Sequence, residues 1–144
     1  MEDYTTFVCY SLKATMKKVE KYIGNELDHF GLNLAQSFVL FTLMENDGST
    51  LSEIGNRAQI ENSSLTTMVD KLERENLVER RLCSQDRRVI RLFLTDKGHD
   101  LAQKVYQHGE SFNNYLRKEL GVTQDNFLAG LVTVANSIDR LSQA

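Results

Sequence analysis

The apolar period of this chain changes once between Ile60 and Gly98, and that change limits what the segment can fold into. Leu65, Met68, Val69 and Leu72 stand at i, i+3, i+4 and i+7, which makes one apolar stripe along a helix. Asn62, Ser63 and Ser64 precede the stripe, and each is of a type that caps a helix by accepting an orphan backbone N–H. The polar face carries Ser63, Thr66, Thr67, Asp70, Lys71 and Arg74, small groups first and cations toward the end. Beyond Leu77 the period is two. Val78, Arg80 and Leu82 alternate with Glu79 and Arg81, and Ile90, Leu92 and Leu94 alternate with Val89, Arg91 and Phe93. This pattern predicts two strands around Ser84-Gln85-Asp86-Arg87-Arg88, a hairpin with a basic tip. A helix with a small polar start followed by such a hairpin predicts a winged helix-turn-helix. The helix suits a major groove, and the wing suits phosphates or a minor groove.

The flanking segments read as helices. Leu12, Met16, Val19, Ile23, Leu27 and Phe30 keep a 3–4 spacing and predict one long helix over residues 5–30. Asn33 and Gln36 form a variant capping box ahead of Phe38, Val39, Leu40, Phe41, Leu43 and Met44, a helix apolar on nearly all sides and therefore expected to be buried. Thr50 and Glu53 form a second box and open a short helix to Arg57, with Gly55 small where two helices cross. Thr95 is expected to cap a long helix running to about Leu120, and Gly121 to break it. Thr123 is expected to cap a last helix, with Phe127, Leu131, Val134, Ile138 and Leu141 at strict 4-3-4-3 spacing. That spacing favours a helix–helix interface between two copies of the chain.

With 144 residues, no proline and no repeat, a single domain is expected. No apolar run approaches the ~20 residues that span a bilayer, MEDYTTF does not read as a signal sequence, and a cytoplasmic protein follows. Cys9 and Cys83 are too few for a disulfide framework. The whole chain carries −3, but from Asn62 to Lys97 eight Lys or Arg face six Asp or Glu. The basic excess therefore sits in the element expected to meet DNA.

LSEIGNRAQIENSSLTTMVDKLERENLVERR followed by DRRVIRLFLTDKG, from Leu51 to Gly98, resembles the MarR family of transcriptional regulators. The resemblance implies a mainly α fold with a small antiparallel β-wing. Within residues 1–144, about 33–98 would form the winged DNA-binding part and about 5–30 and 99–142 the dimerisation helices. It implies a homodimer on double-stranded DNA, at a pseudo-palindromic operator with half-sites about one turn, ~34 Å, apart. The function implied is sequence-specific regulation, usually repression, released by a small-molecule effector. The DNA-contacting candidates are Asn62, Ser63, Ser64, Thr66, Thr67, Lys71, Arg74, Asp86, Arg87 and Arg88. Many relatives carry arginine at the position of Thr67. Asp86 and Arg88 match the family's Asp-x-Arg wing motif, in which a carboxylate holds one guanidinium and a free one suits a narrow minor groove. Which arginine points outward is open. The plain alternatives are that the small polar residues only solvate a helix start and that Asp86 makes a surface ion pair worth ~0–1 kcal/mol.

Two signals are compatible with the resemblance. Tyr22, His29, Phe30 and Phe38, with Lys17 or Lys18 as counter-charge, compose an aromatic pocket for a small aromatic anion. Alternatively, Cys9, with Lys13 at i+4, suits a thiol sensor, although the tyrosine that such relatives carry in place of Lys13 is missing. No metal and no cofactor are expected. His29, His99 and His108 are scattered, and Ser37-Phe38 stand where zinc-sensing relatives place Glu-His. No phosphate loop, nucleophile motif or acid–base pair points to an enzyme. The competing class is a winged-helix module that binds protein and not DNA.

Overall fold

The computed structural model describes residues 1–144. A 3-10 turn, Tyr4–Thr6, precedes helix α1 (Val8–Asp28). Next come α2 (Leu34–Glu45), strand β1 (Ser49–Thr50), α3 (Leu51–Ala58), α4 (Asn62–Arg74), β2 (Val78–Leu82), β3 (Ile90–Leu94), α5 (Asp96–Leu120) and α6 (Gln124–Ser142). The fold is mainly helical with a three-stranded antiparallel sheet of order β1-β3-β2. The chain divides into two compact units, Met1–Tyr106 and Gln107–Ala144.

The first unit holds the core. Val39, Leu40 and Leu43 of α2, Ile54 of α3, Leu65, Val69 and Leu72 of α4, and Leu92 of β3 are fully buried. Each such side chain contributes about 1.5–3 kcal/mol of transfer free energy. The stripe read in α4 is thus its core face, with Met68 half-buried at the edge. The α2 and α3 capping boxes form as expected. The Gln36 N–H donates to Asn33 Oδ1 at 2.8 Å, and the Glu53 N–H to Thr50 Oγ1 at 3.2 Å. Phe38 departs from the expectation of an all-buried α2, being 40% exposed.

The hairpin has the expected register, Arg80 opposite Leu92 and Leu82 opposite Ile90. Strand β1 is an addition that no two-residue periodicity can reveal. It pairs with β3 through Ser49 and Thr50, helped by the Gly48 N–H on the Leu92 carbonyl and the Leu94 N–H on Asp47 Oδ1, both at 2.9 Å.

Three helix boundaries correct the sequence reading. None of Asn62, Ser63 and Ser64 caps α4, because the helix starts one residue earlier. Its N-cap is Glu61, which makes no side-chain cap. Backbone sets that start: Gln59 is left-handed (φ 57°) and the Ile60 N–H closes on the Gly55 carbonyl at 3.0 Å. A Cβ on Gly55 would lie 2.9 Å from the Ile60 carbonyl oxygen, so the smallness of Gly55 serves the turn. Phe7 is extended (φ −67°, ψ 142°), so α1 begins at Val8 and not near residue 5. Thr123 does not cap α6. It has helical backbone (ψ −6°), and its hydroxyl donates to the Leu120 carbonyl at 2.7 Å inside the 3-10 turn Gly121–Thr123.

The junction between wing and α5 is tight. The Thr95 N–H donates to the Leu77 carbonyl at 3.1 Å, and its hydroxyl to the Asn76 carbonyl at 2.6 Å. The same hydroxyl oxygen accepts the Gly98 N–H at 3.0 Å, the N-terminal cap expected of Thr95. Gly98 packs so closely that a Cβ there would lie 1.9 Å from the Leu77 carbonyl oxygen.

The second unit contains the end of α5, a turn with Gly121 at φ 53°, and α6. No residue of α6 is buried, and Phe127, Leu131, Ile138 and Leu141 of the 4-3-4-3 stripe are exposed.

Substituting Gly98→Ala should force α5 away from Leu77. The expected loss is about 2–4 kcal/mol, seen as a melting temperature lower by roughly 5–12 °C in a thermal scan. An unchanged melting temperature would mean that the junction is looser than described.

Candidate nucleic-acid interface

The uncapped start of α4 shapes the site. Asn62, Ser63, Ser64 and Thr67 all stand exposed. Thr66 is exposed as well, with its hydroxyl donating to the Asn62 carbonyl at 3.0 Å. Ser63, Ser64 and Thr67, with Met68, Lys71 and Arg74, line a groove of about 540 Å³ whose other wall is Asn33 and Gln36 at the start of α2. Two cations and no carboxylate line it.

At the wing tip both arginines are exposed, and they differ in pairing. Arg88 turns back on Asp86: its Nε donates to Oδ1 at 3.1 Å and its backbone N–H to the same oxygen at 3.0 Å. Its Nη2 reaches Oδ2 at 3.4 Å. The hydrogen bonds from Arg88 hold the Asp86 carboxyl below the usual carboxylate range. The Val89 N–H closes the turn on the Asp86 carbonyl at 3.0 Å. Arg87 is exposed and makes no intramolecular side-chain hydrogen bond or ion pair. Arg88, 92% exposed although paired, remains reachable.

Most of the remaining cations are engaged. Arg80 bonds Asp70 at 2.5 Å and Glu73 at 3.0 Å, and the Asp70 hydrogen bond raises its pKa above the ordinary guanidinium value. Arg81 pairs with Glu79 and lies 4.2 Å from the Phe93 ring centroid. Arg91 donates to the Gly48 carbonyl at 2.9 Å, and Lys97 to the Glu75 carbonyl at 3.0 Å. The basic excess counted in the sequence therefore reduces to three exposed cations without partners, Lys71, Arg74 and Arg87. Asp70, Glu73, Glu79 and Asp86 are each held by an arginine, whereas Glu75, next to Arg74, has no ion pair.

The candidates for a signal are less concentrated. Phe30 lines a cavity of about 720 Å³ with Leu77, Leu101, Lys97 and Lys104, whereas Lys17, Tyr22, His29 and Phe38 do not line it. His29 Nδ1 lies 3.3 Å from the Glu26 carbonyl. Phe38 belongs instead to an aromatic run that sequence spacing leaves incomplete. Its ring centroid is 6.4 Å from that of Phe41, which stands edge-on to Tyr106 at 5.4 Å. The i, i+3 spacing of Phe38 and Phe41 is the available clue; Tyr106 comes from another helix. Cys9 is exposed in the first turn of α1. Cys83 is half-buried at the wing, where backbone hydrogen bonds from Asp86 and Gln85 hold its thiol below the ordinary value. No three His, Cys, Asp or Glu side chains converge on a metal geometry, and no helix is long and apolar enough to cross a membrane.

Comparison with known proteins agrees with this geometry. Residues 32–90 match the MarR family. The HTH-type transcriptional repressor MdtR of Bacillus subtilis (strain 168) is 39% identical over 88 residues, covering 61% of this chain and 57% of MdtR. The chain thus aligns with little more than half of that relative's length. The HTH-type transcriptional regulator TtmR of Methylorubrum extorquens (strain PA1) is 29% identical over 134 residues, 93% of this chain and 67% of TtmR. Among solved structures, the transcriptional repressor CouR bound to a 23-mer DNA duplex superposes with a TM-score of 0.82 at 28% identity, covering 94% of this chain and 99% of CouR. The winged helix, its wing motif and the junction at Gly98 thus stand in a chain whose residues 32–90 match the MarR family model and which is similar to these regulators over most of its length.

Proposed function

We propose that this chain is a homodimeric, sequence-specific DNA-binding transcriptional regulator, acting as a repressor, and not an enzyme. The observation that carries the reading is the placement of the unpaired cations. Lys71 and Arg74 flank the small polar face of α4, Arg87 stands at the wing tip, and Asp70, Glu73, Glu79 and Asp86 are each paired with an arginine within the fold. In this reading α4 enters the major groove. Asn62, Ser63, Ser64, Thr66 and Thr67 meet base edges and nearby phosphates, and Lys71 and Arg74 meet the backbone. The Asp86–Arg88 pair shapes the tip so that Arg87 reaches an adjoining minor groove or its phosphates. MdtR is described as a repressor, and CouR as a repressor on a DNA duplex; both descriptions support carrying that role to this chain. The site of action is then the cytoplasm.

The exposed apolar faces support the dimer. On the first unit Tyr4, Phe7, Val8 and Tyr10 are exposed near the start of α1; on the second, the α6 stripe is exposed. A second copy of the chain covers both in this proposal, with the winged part at about 33–98 and the dimerisation helices on either side.

Selection from a random-sequence DNA pool should enrich a pseudo-palindrome. Affinity for it should fall steeply with salt, as bound phosphates release counterions. Arg87→Ala should flatten the log–log salt slope by about 1 for each phosphate that the side chain no longer neutralises. A binding constant indifferent to salt, or no enrichment, would favour the protein-interaction module. A second outcome concerns assembly: Leu131→Glu should convert the dimer to monomer or unfold it in sedimentation velocity. A folded mutant that keeps dimeric mass would put Leu131 outside the interface.

A further inference from the structure

We infer that Arg80 is a positioning residue for DNA binding, holding the wing at a fixed angle to α4 so that the helix and Arg87 engage one duplex together. The inference rests on the DNA-binding reading above. Arg80 lies in the middle of β2, opposite Leu92 on β3, and its side chain crosses to α4. Nη2 donates to Asp70 Oδ1 at 2.5 Å and Nη1 to Glu73 Oε1 at 3.0 Å. Its backbone N–H donates to Glu73 Oε2 at 3.3 Å. Asp70 and Glu73 are three apart and therefore share a face of α4. One planar guanidinium spans both, which a lysine ammonium, a point donor on a flexible stem, cannot reproduce.

The surroundings single this contact out. The other ion pairs join α2 to α3 (Arg57–Glu45), lie within β2 (Arg81–Glu79) or within the wing tip (Arg88–Asp86), or link β3 to α3 (Arg91–Glu53). The Arg80 pairs alone join α4 to the hairpin, and the Arg80 side chain is only 27% exposed. Beyond Arg80 the hairpin runs past Leu82 and Ile90, both exposed and without core support. Small rotations at Arg80 are therefore amplified at Arg87. The same guanidinium neutralises Asp70, next to Lys71 on the face that meets phosphates in the DNA-binding reading.

Two contacts held on one rigid body reinforce each other, because the first binding event raises the effective concentration of the second. If the wing swings freely, that reinforcement disappears. The test is a double-mutant cycle on the full chain, using a duplex that the wild-type protein selects from a random pool, at fixed salt. In the wild-type background Arg87→Ala should weaken binding about tenfold, and in the Arg80→Gln background less than about twofold, a coupling within the range seen for interacting sites. Arg80→Lys keeps the charge and removes the fork, so it should behave like Arg80→Gln in the cycle. Circular dichroism and thermal melting establish that each variant is folded; if Arg80→Gln is not, the cycle is run with Arg80→Lys. An equal cost of Arg87→Ala in both backgrounds would overturn the inference and leave Arg80 a stabilising residue only. Full restoration of the coupling by Arg80→Lys would also overturn it, in favour of charge neutralisation. These failures leave salt-dependent binding by the wild type intact, whereas a wild-type protein that selects no duplex removes the DNA-binding reading and this inference with it.

Discussion

Much of the molecule depends on how closely α5 approaches the Leu77 carbonyl. The end of α4, the base of the wing and the first turn of α5 meet there within a few residues. The Leu77 N–H donates back to the Leu72 carbonyl at 2.9 Å, ending α4, and the Leu77 carbonyl accepts from Thr95. Asn76 takes a left-handed conformation (φ 58°) to make that turn, and its carbonyl is satisfied by the Thr95 hydroxyl. Lys97 covers the Glu75 carbonyl. The polar ends of two helices and a hairpin are thus paired with one another, as buried or crowded backbone requires. Only glycine fits at position 98 once they are. The motif Leu94-Thr95-Asp96-Lys97-Gly98 is therefore structural, and it fixes the path by which the winged part hands over to the long helix.

The second constraint is electrostatic. In the proposed function a chain of formal charge −3 meets a polyanion and must keep its own carboxylates from opposing the contact. Here the acids of α4 and the wing are each held by an arginine, and those arginines have local roles. Arg80 spans α4 and β2, Arg81 covers Phe93, and Arg88 shapes the tip. What remains for an external partner is small in number and well placed. Exposed pairs of this kind add little to stability individually; their effect is to decide which cations are left over.

The legible part of the fold is the part written in periodicity and in side-chain caps. The α4 stripe, the hairpin register, the two capping boxes and the break at Gly121 follow from spacing and residue type. Features set by backbone alone are not legible. The two-residue strand β1 arises from the fit of Gly48 and Ser49 against β3. The start of α4 is dictated by a left-handed Gln59 rather than by its serines. Of the site, residue identities are legible but pairings are not. Eight cations counted from Asn62 to Lys97 cannot say that Arg88 is the bound partner of Asp86 and Arg87 the free one, because either guanidinium could reach the carboxylate. The aromatic run needs Tyr106, brought in from α5, which no local spacing connects to Phe41.

A surface in which α4 and the wing read two grooves of the same duplex must leave a mark in both. Dimethyl sulfate footprinting reports on each, since guanine N7 lies in the major groove and adenine N3 in the minor groove. On a selected duplex, guanines should be protected in each half-site and adenines in the flanking minor groove. The adenine protection should vanish with Arg87→Ala while the guanine protection persists. Bound protein that shields neither position, or adenine protection indifferent to Arg87, would contradict a two-groove surface.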